Sequence, residues 1–152
     1  MIQNNEVITK ESIKIFMESK SHNEQFARSV AAMFVSRLDP TIEEIDDVKT
    51  AVSEAVTNAV IHGYEGKEGI IEMGLTLTGD MVTISIKDTG TGIEDISKAM
   101  EPMYTSKPSK ERSGMGFSFM EAFMDTVEVK SLPGLGTEVI MTKVFGQTGK
   151  YE

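Results

Sequence analysis

Three polar side chains spaced four residues apart mark one helical segment of the sequence. Glu54, Asn58 and His62 stand at i, i+4 and i+8, so they share one face of a helix. An Asn carbonyl oxygen can ligate Mg²⁺, which usually keeps water and substrate phosphates as its other ligands. A carboxylate one turn earlier can accept a proton from an attacking hydroxyl. Taken alone, however, this pattern is more typical of a solvated polar face than of a catalytic site.

A carboxylate followed by alternating glycines forms the second candidate. The motif Asp88-Thr-Gly-Thr-Gly-Ile93 directly follows residues 82–86, whose apolar alternation predicts a strand. A carboxylate at a strand end can accept a hydrogen bond from an exocyclic amine, such as that of adenine. Gly90 and Gly92 allow the backbone to approach a ligand closely. The same residues also suit an ordinary turn, so the motif is weak by itself.

The third candidate is a glycine-rich segment that leads from a loop into a predicted helix. Between Ser113 and Phe117 the glycines would leave backbone N–H groups available at a helix N-terminus, where an anion is favoured. Arg112 and Lys107 can supply positive charge to a terminal phosphate. The alternative is a flexible glycine linker. A fourth motif, Gly136-Thr137 at a strand start, is ordinary turn chemistry when taken alone.

The order of these motifs indicates a nucleotide pocket. An acid and an Asn on one helix, an Asp at a strand end, a Gly-rich loop and a Gly-Thr pair follow one another along the chain. Other phosphate-binding motifs are absent: the glycines and lysine at 146–150 lack the P-loop spacing, and no G-x-G-x-x-G follows the first predicted strand. No H-R-D or D-F-G sequence indicates a eukaryotic-type protein kinase.

Composition narrows the class of protein. The 152 residues are expected to form one domain, and the absence of cysteine excludes disulfides and thiolate metal sites. The net charge of −9 disfavours nucleic-acid binding, because so acidic a domain repels phosphates. We find no secretory signal and no apolar run of about 18 residues, so we expect a cytoplasmic protein without a membrane segment.

Hydrophobic periodicity and turn residues predict the elements that position these motifs. Two capping boxes, Ser21 with Glu24 and Thr41 with Glu44, are predicted to begin two long helices. In the first helix we expect Arg28 on the exposed face, opposite an apolar stripe. The predicted stripe consists of Phe26, Val30, Met33, Phe34 and Leu38.

The remaining elements complete an α/β (α+β) fold. Residues 1–11 are expected to be loosely ordered. Strands are predicted around 13–17 and at 70–77, 81–87, 126–131 and 137–144, and shorter helices at 95–100 and 117–124. This succession predicts a two-layer sandwich, with helices on one face of a mixed, mostly antiparallel sheet.

The combined motifs resemble the GHKL superfamily of gyrase, Hsp90, histidine kinases and MutL, over residues 12–145. Residues 54–63 are similar to its N box, 88–92 to its G1 box and 113–116 to its G2 box, and Gly136-Thr137 to its last conserved element. The resemblance implies the Bergerat ATP-binding fold. A histidine kinase fragment is a weaker interpretation, since residues 1–11 leave no room for a phosphoacceptor hairpin. Topoisomerases and mismatch-repair ATPases are also weaker interpretations, because they need large transducer domains that this sequence does not contain.

Longer strings resemble one branch, the anti-sigma F factors of spore-forming bacteria. They lie at 26–28, 38–41, 53–64, 105–108 and 111–117. The resemblance implies a homodimeric serine kinase that uses ATP and Mg²⁺. Such a protein sequesters a sporulation sigma factor and phosphorylates a serine of an anti-anti-sigma factor. The alternative is a nucleotide-gated sigma-binding module without significant kinase activity. The chain departs from the family in a longer N-terminus and in the 65–69 loop.

The resemblance assigns a role to each matching residue. Glu54 would be the general base and Asn58 the Mg²⁺ ligand. Asp88 would accept a hydrogen bond from adenine, and Thr137 would contact adenine through a water molecule. Arg28 would be a partner-binding residue. Arg112 would reach the γ-phosphate. The remaining nucleotide-binding positions are His62, Gly90, Gly92, Ile93, Thr105, Lys107, Ser113, Gly114, Met115, Gly116 and Phe117.

Overall fold

The structure is a computed structural model and describes residues 10–101 and 116–146. Nine strands and helices are formed in these ranges, together with a 3₁₀ turn at Ser36–Leu38 and a π-helical turn at Ala59–Gly63. The strands and helices are β1 (Lys10–Glu18), α1 (Asn23–Val35), α2 (Ile42–Asn58), β2 (Ile70–Thr78), β3 (Met81–Asp88), α3 (Ile96–Ala99), α4 (Gly116–Phe123), β4 (Thr126–Leu132) and β5 (Gly136–Val144).

The five strands form one sheet in the order β1-β2-β3-β5-β4. Every pairing between the described strands is antiparallel, so the sheet is more uniform than the mixed, mostly antiparallel one that the sequence predicted. The β2–β3 hairpin turns at Gly79, whose φ of +58° is accessible to glycine at little cost. The predicted two-layer α+β architecture is confirmed.

The core lies between one face of the sheet and the helices. Alternate residues of the central strands are fully buried, among them Leu75, Ile84 and Met141. Helix α2 contributes a stripe that includes Val48 and Val52, as its four-residue periodicity predicts. The opposite face of the sheet carries mainly polar residues and has no helix across it in the described part of the chain.

Helix α1 begins and packs differently from the prediction. Its N-cap is His22, which makes no side-chain capping bond, so the capping box of Ser21 with Glu24 is wrong. The Glu24 carboxylate instead bonds Arg28 and Ser53, and an ionic interaction of this kind outweighs a neutral cap.

The apolar stripe predicted for α1 is also wrong in part. Phe26 is 52% exposed and Met33 73% exposed, whereas Ala27 and Ala31 are fully buried. Small alanines allow α1 to lie close to α2, and this close packing rotates the two larger apolar side chains outward. Phe34 is buried as predicted, and Val30 and Leu38 pack at the edge of the core.

Helix α2 begins as the sequence predicts. Thr41 Oγ1 accepts a hydrogen bond from Glu44 N at 3.0 Å, and Thr41 N donates to Glu44 Oε1 at 2.9 Å, which confirms the capping box. Ile42, the first residue of α2, is 79% exposed because the first helical turn lies outside the core.

Strand β1 begins earlier than the sequence predicted. It includes Lys10 and Glu11, which were expected to be loosely ordered, because it continues to the end of its partner strand and pairs with Thr78 and Leu77. Within residues 10–101 and 116–146, the helices are too short or too polar for any of them to cross a membrane.

Candidate functional site

A cavity of about 590 Å³ lies between the end of α2, the loop after β3, α3, the start of α4 and the β4–β5 turn. Its walls include eight of the residues predicted from the sequence. These are Asn58, His62, Asp88, Gly92, Ile93, Gly116, Phe117 and Thr137. Motifs that lie up to 79 positions apart in sequence are thus brought around one space, as the sequence interpretation required.

Asp88 supplies a buried carboxylate to this cavity. It is the last residue of β3 and only 5% exposed. Burial raises the pKa of Asp88, while backbone hydrogen bonds from Gly90 and Thr137 partly offset that effect. The Gly90 N–H donates to Asp88 Oδ1 at 2.9 Å. Because a carboxylate has about four acceptor positions, it retains the capacity to accept a bond from a donor in the cavity.

Gly63 closes the wall next to this carboxylate. A Cβ atom at Gly63 would lie 2.6 Å from Asp88 Cγ, and one at Gly90 would overlap the Gly63 carbonyl oxygen. The end of α2 and the loop after β3 can approach this closely only because both positions are glycine. In the sequence, Gly63 stood out only as the last residue of the 54–63 string, and nothing there indicated its contact with Asp88.

Asn58 lies at the junction of α2 and α4. A Cβ atom at Gly116 would lie 3.0 Å from Asn58 Nδ2 and 3.2 Å from Oδ1, so the Asn58 amide packs directly against the first residue of α4. Thus two predicted motifs meet at this point. Within the described ranges, no cluster of three or more His, Cys, Asp or Glu residues could hold a metal by itself.

Glu54 and Gly90 are not among the residues that line the cavity. Glu54 is half-buried on α2, one turn before Asn58. Gly90 lies behind the wall, where it contacts the Gly63 carbonyl.

Several residues of the cavity wall were not predicted. Small and aliphatic side chains from α2, β3 and β5 form an apolar side, and charged residues form a rim around α3. The unpredicted lining residues are Ala55, Ala59, Gly63, Glu65, Ile86, Thr91, Glu94, Asp95, Lys98, Ala99, Pro133 and Val139. Ala55 and Ala59 are four residues apart and lie on one face of the helical segment, next to the face of Asn58, which was a usable signal. The charged rim follows no motif.

Six predicted site residues lie outside the described part of the chain. They are Thr105, Lys107, Arg112, Ser113, Gly114 and Met115.

Arg28 is less exposed than predicted. Its side chain retains 39% of its accessible surface, and Nη1 bonds Glu24 Oε2 at 3.3 Å and Ser53 Oγ at 3.4 Å. The Ser53 hydroxyl in turn donates to Glu24 Oε2. The guanidinium thus lies across the contact between α1 and α2 rather than on the opposite, exposed face, because the close packing of the helices brings buried Ser53 within its reach.

Comparison with known proteins agrees with this geometry. Residues 17–143 match the family model of the histidine kinase-like ATPase domain. The anti-sigma F factor of Clostridium kluyveri is 58% identical over 134 residues, which cover 88% of this chain and 94% of that protein. Those of Clostridium botulinum and a Thermoanaerobacter species are 61% and 59% identical, each over 84% of this chain and 90% of the relative.

Solved structures show the same fold at lower identity. The RsbU and RsbW domains of a Mycobacterium tuberculosis protein align with a TM-score of 0.64 and 21% identity, over 89% of this chain and 32% of that one. The catalytic domain of the histidine kinase ThkA aligns with a TM-score of 0.56 and 15% identity, over 86% and 96%. Fold, motif order and close relatives agree: the chain belongs to the anti-sigma F factor family of GHKL, histidine kinase-like ATPase domains.

Proposed function

We propose that this protein is an ATP-dependent anti-sigma factor and protein serine kinase. It would bind and inhibit a sporulation sigma factor, and phosphorylate a serine of an anti-anti-sigma factor. Membership of the anti-sigma F factor family supports the first activity. The observation that supports nucleotide use most directly is the buried Asp88 carboxylate in the wall of a ligand-sized cavity.

Adenine fits the chemistry of the Asp88 end. The carboxylate can accept a bond from the exocyclic amine of adenine, whereas guanine would present a carbonyl oxygen there and repel it. The apolar side chains of Ile86 and Val139 offer a surface for a flat base. Thr137, which pairs with Asp88 across the sheet, would contribute a hydroxyl or a water next to it.

The phosphates would lie toward Asn58 and the start of α4. The Asn58 carbonyl oxygen would hold Mg²⁺ together with phosphate oxygens and water, which is the usual way this ion is bound. ATP, when bound, supplies the transferred phosphoryl group. From resemblance to the family, Arg112 would reach the γ-phosphate, and Thr105, Lys107 and residues 113–115 would bind the nucleotide.

Glu54 would act as the general base for the partner serine. It lies four residues before Asn58, about 6 Å along the helix axis, so its carboxylate can face the hydroxyl that attacks a phosphate held at Asn58. Its position outside the cavity wall is suited to contact with a second protein rather than with the nucleotide.

Glu54→Gln tests this role. We expect phosphate transfer to the anti-anti-sigma factor to fall by about 100-fold or more, since general-base catalysis typically contributes 10²–10⁴. Binding of ADP should stay within about twofold, because a single change outside the pocket removes no contact to the nucleotide. Transfer from labelled ATP and calorimetry with ADP measure the two quantities.

Glu43→Gln, the same change at an exposed position of α2, is the matched control. Equal transfer rates for the wild type, Glu54→Gln and Glu43→Gln would rule out Glu54 as the base.

A nucleotide-gated sigma-binding module without kinase activity is the second candidate. It is favoured by the names of the relatives, which give an anti-sigma role and no kinase activity. The two candidates differ in the wild type: the module would retain the sigma factor in the presence of ATP but leave the anti-anti-sigma factor unmodified in mass spectra. We also propose, from the family alone, a cytoplasmic homodimer, for which sedimentation equilibrium provides the test.

A further inference from the structure

Thr91, an unpredicted residue of the cavity wall, connects three segments of the chain. Its hydroxyl Oγ1 donates to the His62 carbonyl at 3.0 Å, and its backbone N–H donates to the Gly63 carbonyl at 2.9 Å. Its own carbonyl accepts from the Gly134 N–H at 2.6 Å. The end of α2, the loop after β3 and the β4–β5 turn therefore meet at one residue.

The two acceptors belong to the π-helical turn at Ala59–Gly63. The last carbonyl groups of a helix have no partner within it, and they need donors from elsewhere. Thr91 supplies two such donors from a segment almost thirty residues away. A π-helical turn is a rare conformation that often occurs at functional sites, and here Thr91 holds its final residues.

The consequence for the site arises from Gly63. This residue touches the Asp88 carboxylate so closely that a Cβ atom could not be accommodated between them. A displacement of Gly63 would therefore change the space in front of Asp88. The Thr91 hydroxyl fixes His62, the residue before Gly63, and the Thr91 amide fixes Gly63 itself.

We propose that Thr91 is a positioning residue for the base end of the nucleotide site. Its hydroxyl keeps the π-helical turn against Asp88, so that the carboxylate faces the cavity in the orientation that accepts the exocyclic amine. This inference rests on the proposed nucleotide binding and adds to it a residue that determines affinity for the base. The phosphate end, at Asn58, is separate from this contact.

Thr91→Val removes the hydroxyl and retains the shape of the side chain. We expect its affinity for ADP to fall by about 3- to 10-fold, the effect of one lost hydrogen bond. The same factor is expected with Mg²⁺ and with EDTA, because the base end does not contact the metal. Thr91→Ser retains the donor and should stay within about twofold of the wild type. Calorimetry well below the melting temperature measures each affinity.

Thr126→Val is the matched control. Thr126 bonds Thr142 through a hydroxyl pair at 2.6 Å, and neither residue lines the cavity, so its replacement should leave ADP affinity unchanged. If Thr91→Val proves unable to fold, Thr91→Ala removes the same hydroxyl without filling its space, and the same loss is expected.

Three results would overturn the assignment. Wild-type affinity in Thr91→Val would show that the hydroxyl does not shape the site, whatever its effect on the melting temperature. A loss confined to samples with Mg²⁺ would assign Thr91 to the phosphate end instead. Absence of ADP binding by the wild-type protein would refute the proposed function, and this inference with it.

Discussion

Asp88 is subject to two opposing effects on its affinity for protons. Burial disfavours the charged form and raises the pKa, whereas the N–H groups of Gly90 and Thr137 favour the charged form. Burial is the larger effect, so the pKa of Asp88 in the ligand-free protein lies above its ordinary value. The residue therefore contributes stability in its protonated form, which is lost as the pH rises through the raised pKa.

Nucleotide binding should reverse this preference. A donor such as the exocyclic amine interacts more strongly with the ionised carboxylate, so ADP affinity should fall as the pH is lowered through the raised pKa of Asp88. Calorimetry with ADP at several acidic pH values measures this slope. Asp88→Asn binds more weakly but retains the titration of the nucleotide phosphates, so it isolates the Asp88 contribution. Identical slopes in the two proteins would contradict the prediction.

At the scale of single residues, the sequence predicted which side chains reach the cavity better than it predicted the contacts that hold them there. Asp88 and Asn58 were predicted from residue type and spacing, and both line the cavity. Thr91 and Gly63 were not, since their importance comes from carbonyl and carboxylate groups that only the folded chain brings beside them.

At the scale of the element, the two helix starts also show a difference between what a sequence pattern predicts and which contacts form. Two similar sequence patterns predicted capping boxes, but only Thr41 and Glu44 form one. Ser21 lies before an N-cap without a side-chain bond, because the Glu24 carboxylate is engaged by another helix. A local pattern predicts a local bond only where no tertiary partner competes for the same group.

This difference predicts unequal effects of two matched substitutions. Thr41→Ala should lower the free energy of unfolding by about 1 kcal/mol, the usual effect of removing an N-cap side chain. Ser21→Ala should change it by less than about 0.5 kcal/mol, as expected for a surface position. Urea denaturation of both variants measures the comparison. Equal losses would mean that Ser21 caps α1 in solution.

The bounds of the strands were predicted to within a few residues, whereas the buried face of α1 was predicted wrongly in part. Alternation in β2 and β3 directly reports which face is buried. In α1 the larger apolar residues suggested a stripe that the small buried residues Ala27 and Ala31 displace. Close helix packing selects small side chains, and residue hydrophobicity alone does not reveal it.

At the scale of the whole molecule, the contact between α1 and α2 connects the proposed partner surface to the proposed base. Arg28 bonds Ser53, and Ser53 immediately precedes Glu54. A partner that engages the Arg28 guanidinium would therefore dock beside the residue proposed to accept the serine proton. The residues of this helix that line the nucleotide cavity begin at Ala55, directly after Glu54.

Arg28→Ala is expected to weaken capture of the cognate sporulation sigma factor by about 10-fold or more, since arginines often dominate binding energy at interfaces. Ser53→Ala removes the internal bond but keeps the guanidinium, so its binding should stay within a few-fold of the wild type. Co-purification with ATP present, followed by titration of the purified sigma factor, measures both. A larger loss for Ser53→Ala than for Arg28→Ala would show that the internal bond, not the charge, matters.

The strand order has a consequence for how the protein is made. Strand β5 lies between β3 and β4, although it is the last of the five to be synthesised. Thr137, which donates to Asp88 from β5, emerges from the ribosome well after Ile86 and Asp88 of the adenine-facing wall, and Val139 follows it. A nascent chain that ends before β5 lacks both the strand that joins β4 to the rest of the sheet and a complete nucleotide site. Translation therefore delays ligand capture until nearly all of the described chain is available to fold.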